Sequence, residues 1–230
     1  MAIDDNQRSR EAVLARVRAA LGRSGPDDDA RLAAHAYLAA RRQGPRPALP
    51  ADLVQRFVDR ASDMSSTVVR VATLASAPLA VAAYLRALSG AAVAADTTPT
   101  ASGVCWPELA TLGWREQGLA IESRPTVGND AVGITGCFCA IAETGTLVFL
   151  TGTEAPSATF LLPETHIAIV HASRIVAAME DAFDLIRRER GELPRAVNLV
   201  SGPSRTGDIE QTIVLGAHGP RRLHIVLVDS

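Results

Sequence analysis

The chain reads Ala196-Val197-Asn198-Leu199-Val200 and then Ser201-Gly202-Pro203-Ser204-Arg205-Thr206-Gly207-Asp208-Ile209-Glu210. An apolar run of strand length ends in a turn holding two glycines, a proline, three hydroxyls, an arginine and two carboxylates. A glycine-rich turn at a strand end exposes backbone N–H groups and hydroxyls, and so tends to hold an anion. The same residues also read as an ordinary strand-to-helix turn with Asp208 as N-cap. Working outward, Ser173 to Arg190 forms an amphipathic helix with Ile175, Val176, Met179, Phe183 and Ile186 as its apolar stripe, ended by Gly191. Beyond the turn, Leu223 to Val228 is an apolar run without alternation, as in strands buried on both faces. Strand, helix and strand in this order predict an α/β fold.

The rest of the chain follows that alternation. Residues 1 to about 45 read as two helices, Ser9 to Leu21 and one opened by Asp27-Asp28-Asp29 and running to Arg42. Gly44-Pro45-Arg46-Pro47 and Pro50 form a stiff linker. The arm, residues 1–50, packs on the domain or on a partner, or is a solvated lead-in; the domain proper spans 51–230. A third helix covers Asp52 to Met64. Strands are expected at Thr67 to Ala72, Ala91 to Ala95, Leu119 to Glu122, Ala131 to Ile134, Thr146 to Thr151, Thr159 to Leu162 and Ile167 to Val170. Helices are expected from Pro78 to Leu88 and around Glu108 to Leu112. The whole is a Rossmann-like, helix-flanked sheet with an inserted antiparallel portion and an N-terminal helical extension.

Composition narrows the chemistry. The 230 residues carry a net charge of −2 and 47% apolar side chains, which gives no support to nucleic-acid binding. All 23 basic residues are arginine, so Schiff-base chemistry, lysine-anchored pyridoxal phosphate and a P-loop lack their lysine. No Gly-x-Gly-x-x-Gly follows the first strand, which weakens a dinucleotide reading. Three cysteines, Cys105, Cys137 and Cys139, do not make a disulfide framework. Cys137 and Cys139 read as a weak metal pair or as two buried thiols. The polar start of the chain carries no secretory signal, and Pro78, Arg86 and Gly90 break the alanine-rich region, so a cytoplasmic protein without a membrane span is expected.

A second polar turn, Glu143-Thr144-Gly145-Thr146, interrupts apolar residues. Glu143 there acts as acid/base or binds a substrate hydroxyl, with Thr144 and Thr146 donating to an anion; or it accepts hydrogen bonds from turn amides. A third turn, Gly216-Ala217-His218-Gly219-Pro220, presents His218. His166 and His171 flank a buried strand, and His224 lies within the last one. Glu143, Asp208 and His218 are the candidate catalytic residues; Thr144, Gly145, Thr146, Gly202, Ser204, Arg205 and Thr206 the candidate ligand-binding ones. Arg205 would pair a carboxylate or phosphate through its planar fork. No metal ligand set is assigned.

Four blocks taken together resemble one family: Ile141-Ala142-Glu143-Thr144-Gly145-Thr146; Leu161-Leu162-Pro163 with His166; Gly202-Pro203-Ser204-x-Thr206-x-Asp208-Ile209-Glu210; and Gly216-x-His218-Gly219-Pro220. In order and spacing they resemble the lactate utilisation protein C family, the LUD domain, over the chain from Ser66 to Asp229. The resemblance implies a fold like that of the glucosamine-phosphate deaminase, ribose-phosphate isomerase and CoA-transferase group. It also implies a part in oxidising L-lactate to pyruvate beside two iron–sulfur partner proteins, this chain being an accessory or ligand-binding subunit for a small anion with no cofactor of its own. Fold analogy leaves open a stand-alone enzyme acting on a sugar phosphate or acyl-CoA ester, and a pure interaction module also stays open. One departure is Gly136-Cys137-Phe138-Cys139, since the resemblance implies an acidic residue at the position of Phe138 in many relatives.

Overall fold

Two apolar runs without alternation, residues 167–170 in β7 and 225–228 in β12 below, force a sheet that must be covered on both sides. The computed structural model describes residues 2–22, 27–89, 101–209 and 212–229. The expected strand at Ala91 to Ala95 and the residue Glu210 lie outside these. The chain divides into two compact units, residues 1–46 and 47–230. The first holds α1 (Ala2–Ala20) and α2 (Asp28–Ala40), the latter N-capped by Asp27. In the second, the helices are α3 (Leu53–Asp63), α4 (Ala77–Ser89), α5 (Ala158–Leu161) and α6 (Met179–Arg190). Its strands are β1 (Thr67–Val71), β2 (Ala101–Cys105), β3 (Leu119–Ser123), β4 (Val132–Thr135), β5 (Cys139–Ile141) and β6 (Thr146–Leu150). They continue with β7 (Thr165–His171), β8 (Ile175–Val176), β9 (Val197–Val200), β10 (Arg205–Ile209), β11 (Thr212–Leu215) and β12 (Arg222–Val228). Among the described residues no helix is long and apolar enough to cross a membrane.

Six strands make a parallel sheet in the order β1-β12-β7-β4-β2-β3. Alternate side chains of its central strands point to opposite faces. Ile167, Ile169, Val226 and Val228 meet Val81, Ala82 and Leu85 of α4, while Ala168, Val170, Ile225 and Leu227 meet Phe57 and Ala61 of α3. The second face is also covered by a smaller sheet, β8-β5-β6-β9, in which β6 is antiparallel to both β5 and β9. Leu147 and Phe149 of β6 face the parallel sheet, and Val148 between them faces Ala182 and Ile186 of α6. The layers are therefore α4, parallel sheet, small sheet, α6. This is a mixed α/β fold with a mostly parallel central sheet, and the small sheet is the antiparallel insertion.

Several local expectations are corrected. Residues 159–162 are not a strand: Leu161 and Leu162 N–H donate to the Ser157 and Ala158 carbonyls, closing α5, which sinks Phe160 against Phe149. A four-residue apolar run fits either state, and here tertiary packing of the ring decides. The last long helix opens at Met179 rather than Ser173. β-branched Ile175 and Val176 pair with Ala140 and Ile141, and the Asp181 carboxylate accepts from the Ala178 N–H to start the helix. Residues around Glu108 form only a 3₁₀ turn, Pro107–Leu109. β9 joins the small sheet, not the central one, and its following turn opens into β10 instead of a helix. Asp208 consequently lies on a strand, and the N-cap reading of it falls.

Candidate functional site

The first polar cluster is built on the end of α3. Ser66 N–H donates to the Ala61 carbonyl and Ser65 N–H to the Ser62 carbonyl, a Schellman termination that puts Ser65 at φ +65°. Gly145 and Gly202, both at positive φ, lie directly on this helix end. A β-carbon at Gly145 would collide with the backbone of Arg60 and Ala61, and one at Gly202 with the Met64 carbonyl. Both turns can reach α3 only because these positions are glycine.

Hydroxyls link the two turns. Thr144 and Thr146 Oγ1 lie 2.6 Å apart, and Thr146 Oγ1 is also 2.6 Å from Ser201 Oγ. Arg205, exposed at the start of β10, turns its guanidinium onto the Ser65 hydroxyl and the Met64 carbonyl. The third turn is fastened to the second: Ser204 N–H donates to the Pro220 carbonyl, Gly216 N–H donates to the Ser204 carbonyl, and Gly219 packs on the Ser204 side chain. Thr144, Gly145, Thr146, Gly202, Ser204 and Arg205 thus gather along one corner. Thr206 pairs with Val214 in the β10–β11 hairpin, and His218 is exposed on the third turn. Glu143 gives its N–H to the Ala177 carbonyl, and among the described residues its half-buried carboxylate has no partner.

The second feature is a cleft of about 590 Å³ at the carboxyl ends of β2, β4 and β7. Trp106 and Glu108 follow β2, Cys137 and Phe138 follow β4, and His171 ends β7. Arg174 donates to both Glu189 oxygens at 2.6 and 3.0 Å and to the Phe138 carbonyl at 2.9 Å. Its guanidinium lies 4.8 Å from the Phe138 ring centre, and that of Arg190 lies 5.8 Å away. The ion pair holds the Glu189 carboxyl below the usual carboxylate range and raises Arg174. Burial, with Cys139 and Glu108 adding to it, pushes the Cys137 thiol up, and burial lifts Cys139 to about 12. Both are therefore protonated thiols at neutral pH, poor nucleophiles and poor ligands. Among the described residues no three His, Cys, Asp or Glu side chains gather as a metal site.

Cleft and corner occupy opposite ends of the small sheet. β6 runs from Thr146 at the corner to Leu150 at the cleft, about 13 Å at the usual rise per strand residue. The sequence marks the corner by its Thr, Ser and Gly turns, and of the cleft it marks only Cys137 and Phe138. In linear sequence the cleft shows as side chains one to three residues past β2 and β4 and at the last residue of β7, where such folds bind ligands. Of the histidines, His166 is buried with Nε2 2.8 Å from the Thr135 hydroxyl, and burial lowers it to about 3, so it stays neutral. His224 stacks on Tyr84 with centroids 3.8 Å apart.

The LUD domain profile matches residues 54–228. A Lactate utilization protein C from Bacillus subtilis (strain 168) is 36% identical over 129 residues, 54% of each chain. Lactate utilization protein C 1 of Bacillus mycoides is 44% identical over 102 residues, 43% of this chain and 44% of that one. The matched stretch thus spans about half the length of these curated relatives. In fold, the chain is similar to the crystal structure of a DUF162 family protein from Deinococcus radiodurans, with a TM-score of 0.53 and 23% identity, covering 79% of this chain and 99% of that one. Since the profile takes in well over half of its residues, from α3 to the end of β12, this chain belongs to the LUD domain family.

Proposed function

We propose that this chain is an accessory, ligand-binding component of a cytoplasmic system that oxidises L-lactate to pyruvate, and that its corner holds a small organic anion. The relatives named Lactate utilization protein C support the pathway. The observation that carries the site is the continuous run of hydroxyls, Thr144, Thr146 and Ser201, whose next residue, Gly202, lies on the α3 end where Ser65 meets the Arg205 guanidinium. Arg205 uses one of its terminal nitrogens on Ser65 and Met64, which leaves the other donors of its fork for a carboxylate. The hydroxyls of Thr144 and Ser201 add donors, and Ser204 and Thr206 are the further ligand-binding candidates of this reading.

In this reading Glu143 is the acid/base or hydroxyl-binding carboxylate, with Asp208 and His218 as further candidates. Three cysteines fall short of the four thiolates a cluster normally takes, so iron–sulfur chemistry is assigned to partner proteins. The site domain is taken as 51–230 and the arm and linker as 1–50.

Deleting the gene should abolish growth on L-lactate, and wild-type protein should restore it. The Arg205→Ala protein should restore it poorly while folding normally, because Arg205 is exposed. A deletion strain that grows normally on L-lactate overturns the role. Full rescue by Arg205→Ala overturns the site.

A further inference from the structure

The cleft at the other end of the small sheet is unused by that function, and its position is informative. From β2 the chain moves outward to the edge strand β3, then returns as β4 on the other side of β2 and continues to β7 and β12. The winding reverses between β2 and β4, and open α/β sheets bind ligands at the carboxyl ends of strands flanking such a reversal. Trp106, Glu108, Cys137 and Phe138 come from those two strand ends.

The cleft is several times larger than a three-carbon acid needs. At about 30 Å³ per water-sized group, 590 Å³ accommodates on the order of twenty non-hydrogen atoms. The walls carry three distinct chemistries. Leu150 and the accessible part of Phe138 offer apolar surface, with the edge of the buried Trp106 beside them. Glu108 stands against Gly136 so closely that a β-carbon there would strike its carboxylate, yet among the described residues that carboxylate has no hydrogen-bond donor or cation. A bare carboxylate at the end of a parallel strand is the group that accepts from a ribose diol in nucleotide-binding sheets. Arg174 is immobilised by Glu189 and the Phe138 carbonyl. Arg190, held over the Phe138 ring, makes no hydrogen bond or ion pair among the described residues and is the cation available to a ligand. With no lysine in the chain, an arginine fork is the phosphate reader to expect.

Charge sets how many phosphates fit. Glu108, Glu154 and Glu189 against Arg174 and Arg190 leave the cleft slightly negative, which disfavours a triphosphate. No glycine-rich cradle follows β1 to hold a pyrophosphate. We propose that this cleft binds a nucleoside monophosphate, with its ribose diol on Glu108, its phosphate on Arg190 and its base along the apolar wall that includes Leu150.

The test is calorimetric titration of the full chain with AMP, GMP, CMP and UMP, run beside adenosine, inorganic phosphate and ATP. At least one monophosphate should bind more tightly than its nucleoside, phosphate alone or ATP. Glu108→Gln or Arg190→Ala should weaken it about tenfold or more, equivalent to about 1.4 kcal/mol. Both residues are exposed, so the unliganded melting temperature should not move. Arg205→Ala should leave this binding intact, which separates the cleft from the corner. No binding by any of the four up to millimolar concentration, no preference for a monophosphate, or affinity that neither substitution changes tenfold would overturn the proposal.

Discussion

The hydroxyl of Thr146, 4% exposed, lies 2.6 Å from the hydroxyl of Ser201, a residue 55 positions further along the chain. This one bond ties the β5–β6 turn to the turn after β9, and both are seated on the end of α3 by Gly145 and Gly202. Local sequence makes each turn; only the pairing of β6 with β9 in register, Leu147 opposite Val200, brings the two hydroxyls together. Thr146→Val keeps the shape and removes the central hydroxyl. A net loss of about 1 kcal/mol is expected, since Ser201 is exposed and can bond water instead. In a double-mutant cycle with Ser201→Ala the two losses should be less than additive. Urea unfolding of the four proteins measures this, and strict additivity would mean the bond contributes nothing.

Ser65 occupies the left-handed position that helix terminations usually give to glycine. A serine there carries strain of order 1 kcal/mol, and its hydroxyl meets Arg205. Ser65→Gly should therefore leave stability unchanged or raise it by up to about 1 kcal/mol, whereas Ser65→Ala keeps the strain, loses the contact and should be the less stable of the two. Thermal melts rank them. If Ser65→Ala is as stable as Ser65→Gly, the backbone strain is not what distinguishes this position.

What could be read from sequence divides along physical lines. α3 was legible because Phe57 and Ala61 sit at core spacing, and β7 and β12 because apolar runs without alternation have few other uses. β2 was not, since its sequence, Ala101-Ser102-Gly103-Val104-Cys105, lacks the β-branched signal. The structure supplies the reason: at Gly103 a β-carbon would strike the Val132 carbonyl of β4, so close packing takes precedence over propensity. The corner was legible because Thr, Ser and Gly concentrate in short turns. The cleft was not. Glu108 and Phe138 are single residues past β2 and β4, His171 is the last residue of β7, and strand order alone makes them neighbours.

The three thiols should be inert in the folded protein. Burial raises Cys105 to about 11 and Cys139 to about 12, and raises Cys137 as well, from an ordinary value of 9.0. Alkylation needs the thiolate, so a rise of two units or more slows it about a hundredfold. Iodoacetamide near pH 7.5, followed by intact mass, should show almost no labelling in buffer and three additions in urea. Rapid single labelling at Cys137, which lines the cleft, would contradict the assignment of a protonated thiol there.

Two buried histidines set the acid limit of stability. His166 is lowered from 6.5 to about 3 and His224 to about 4, both by desolvation. In the unfolded chain each takes up a proton as pH falls through 6.5, while in the folded protein each refuses it until near its lowered value. The unfolded state therefore binds more protons, and stability falls as pH drops from 6.5 towards 4, at up to about 1.4 kcal/mol per pH unit for each histidine. Above pH 7.5 neither group contributes a slope. The carboxylates held low by arginines, Asp130 by Arg124 and Glu189 by Arg174, act in a lower window, below the usual carboxylate values. Urea unfolding between pH 7.5 and 4.5 should show the decline already by pH 5.5, before those carboxylates protonate. His166→Gln should reduce the slope between pH 6.5 and 4.5 by roughly half, whatever it does to stability at pH 7.5. An unchanged slope in that variant would mean that His166 is protonated, or exposed to solvent, in the folded protein.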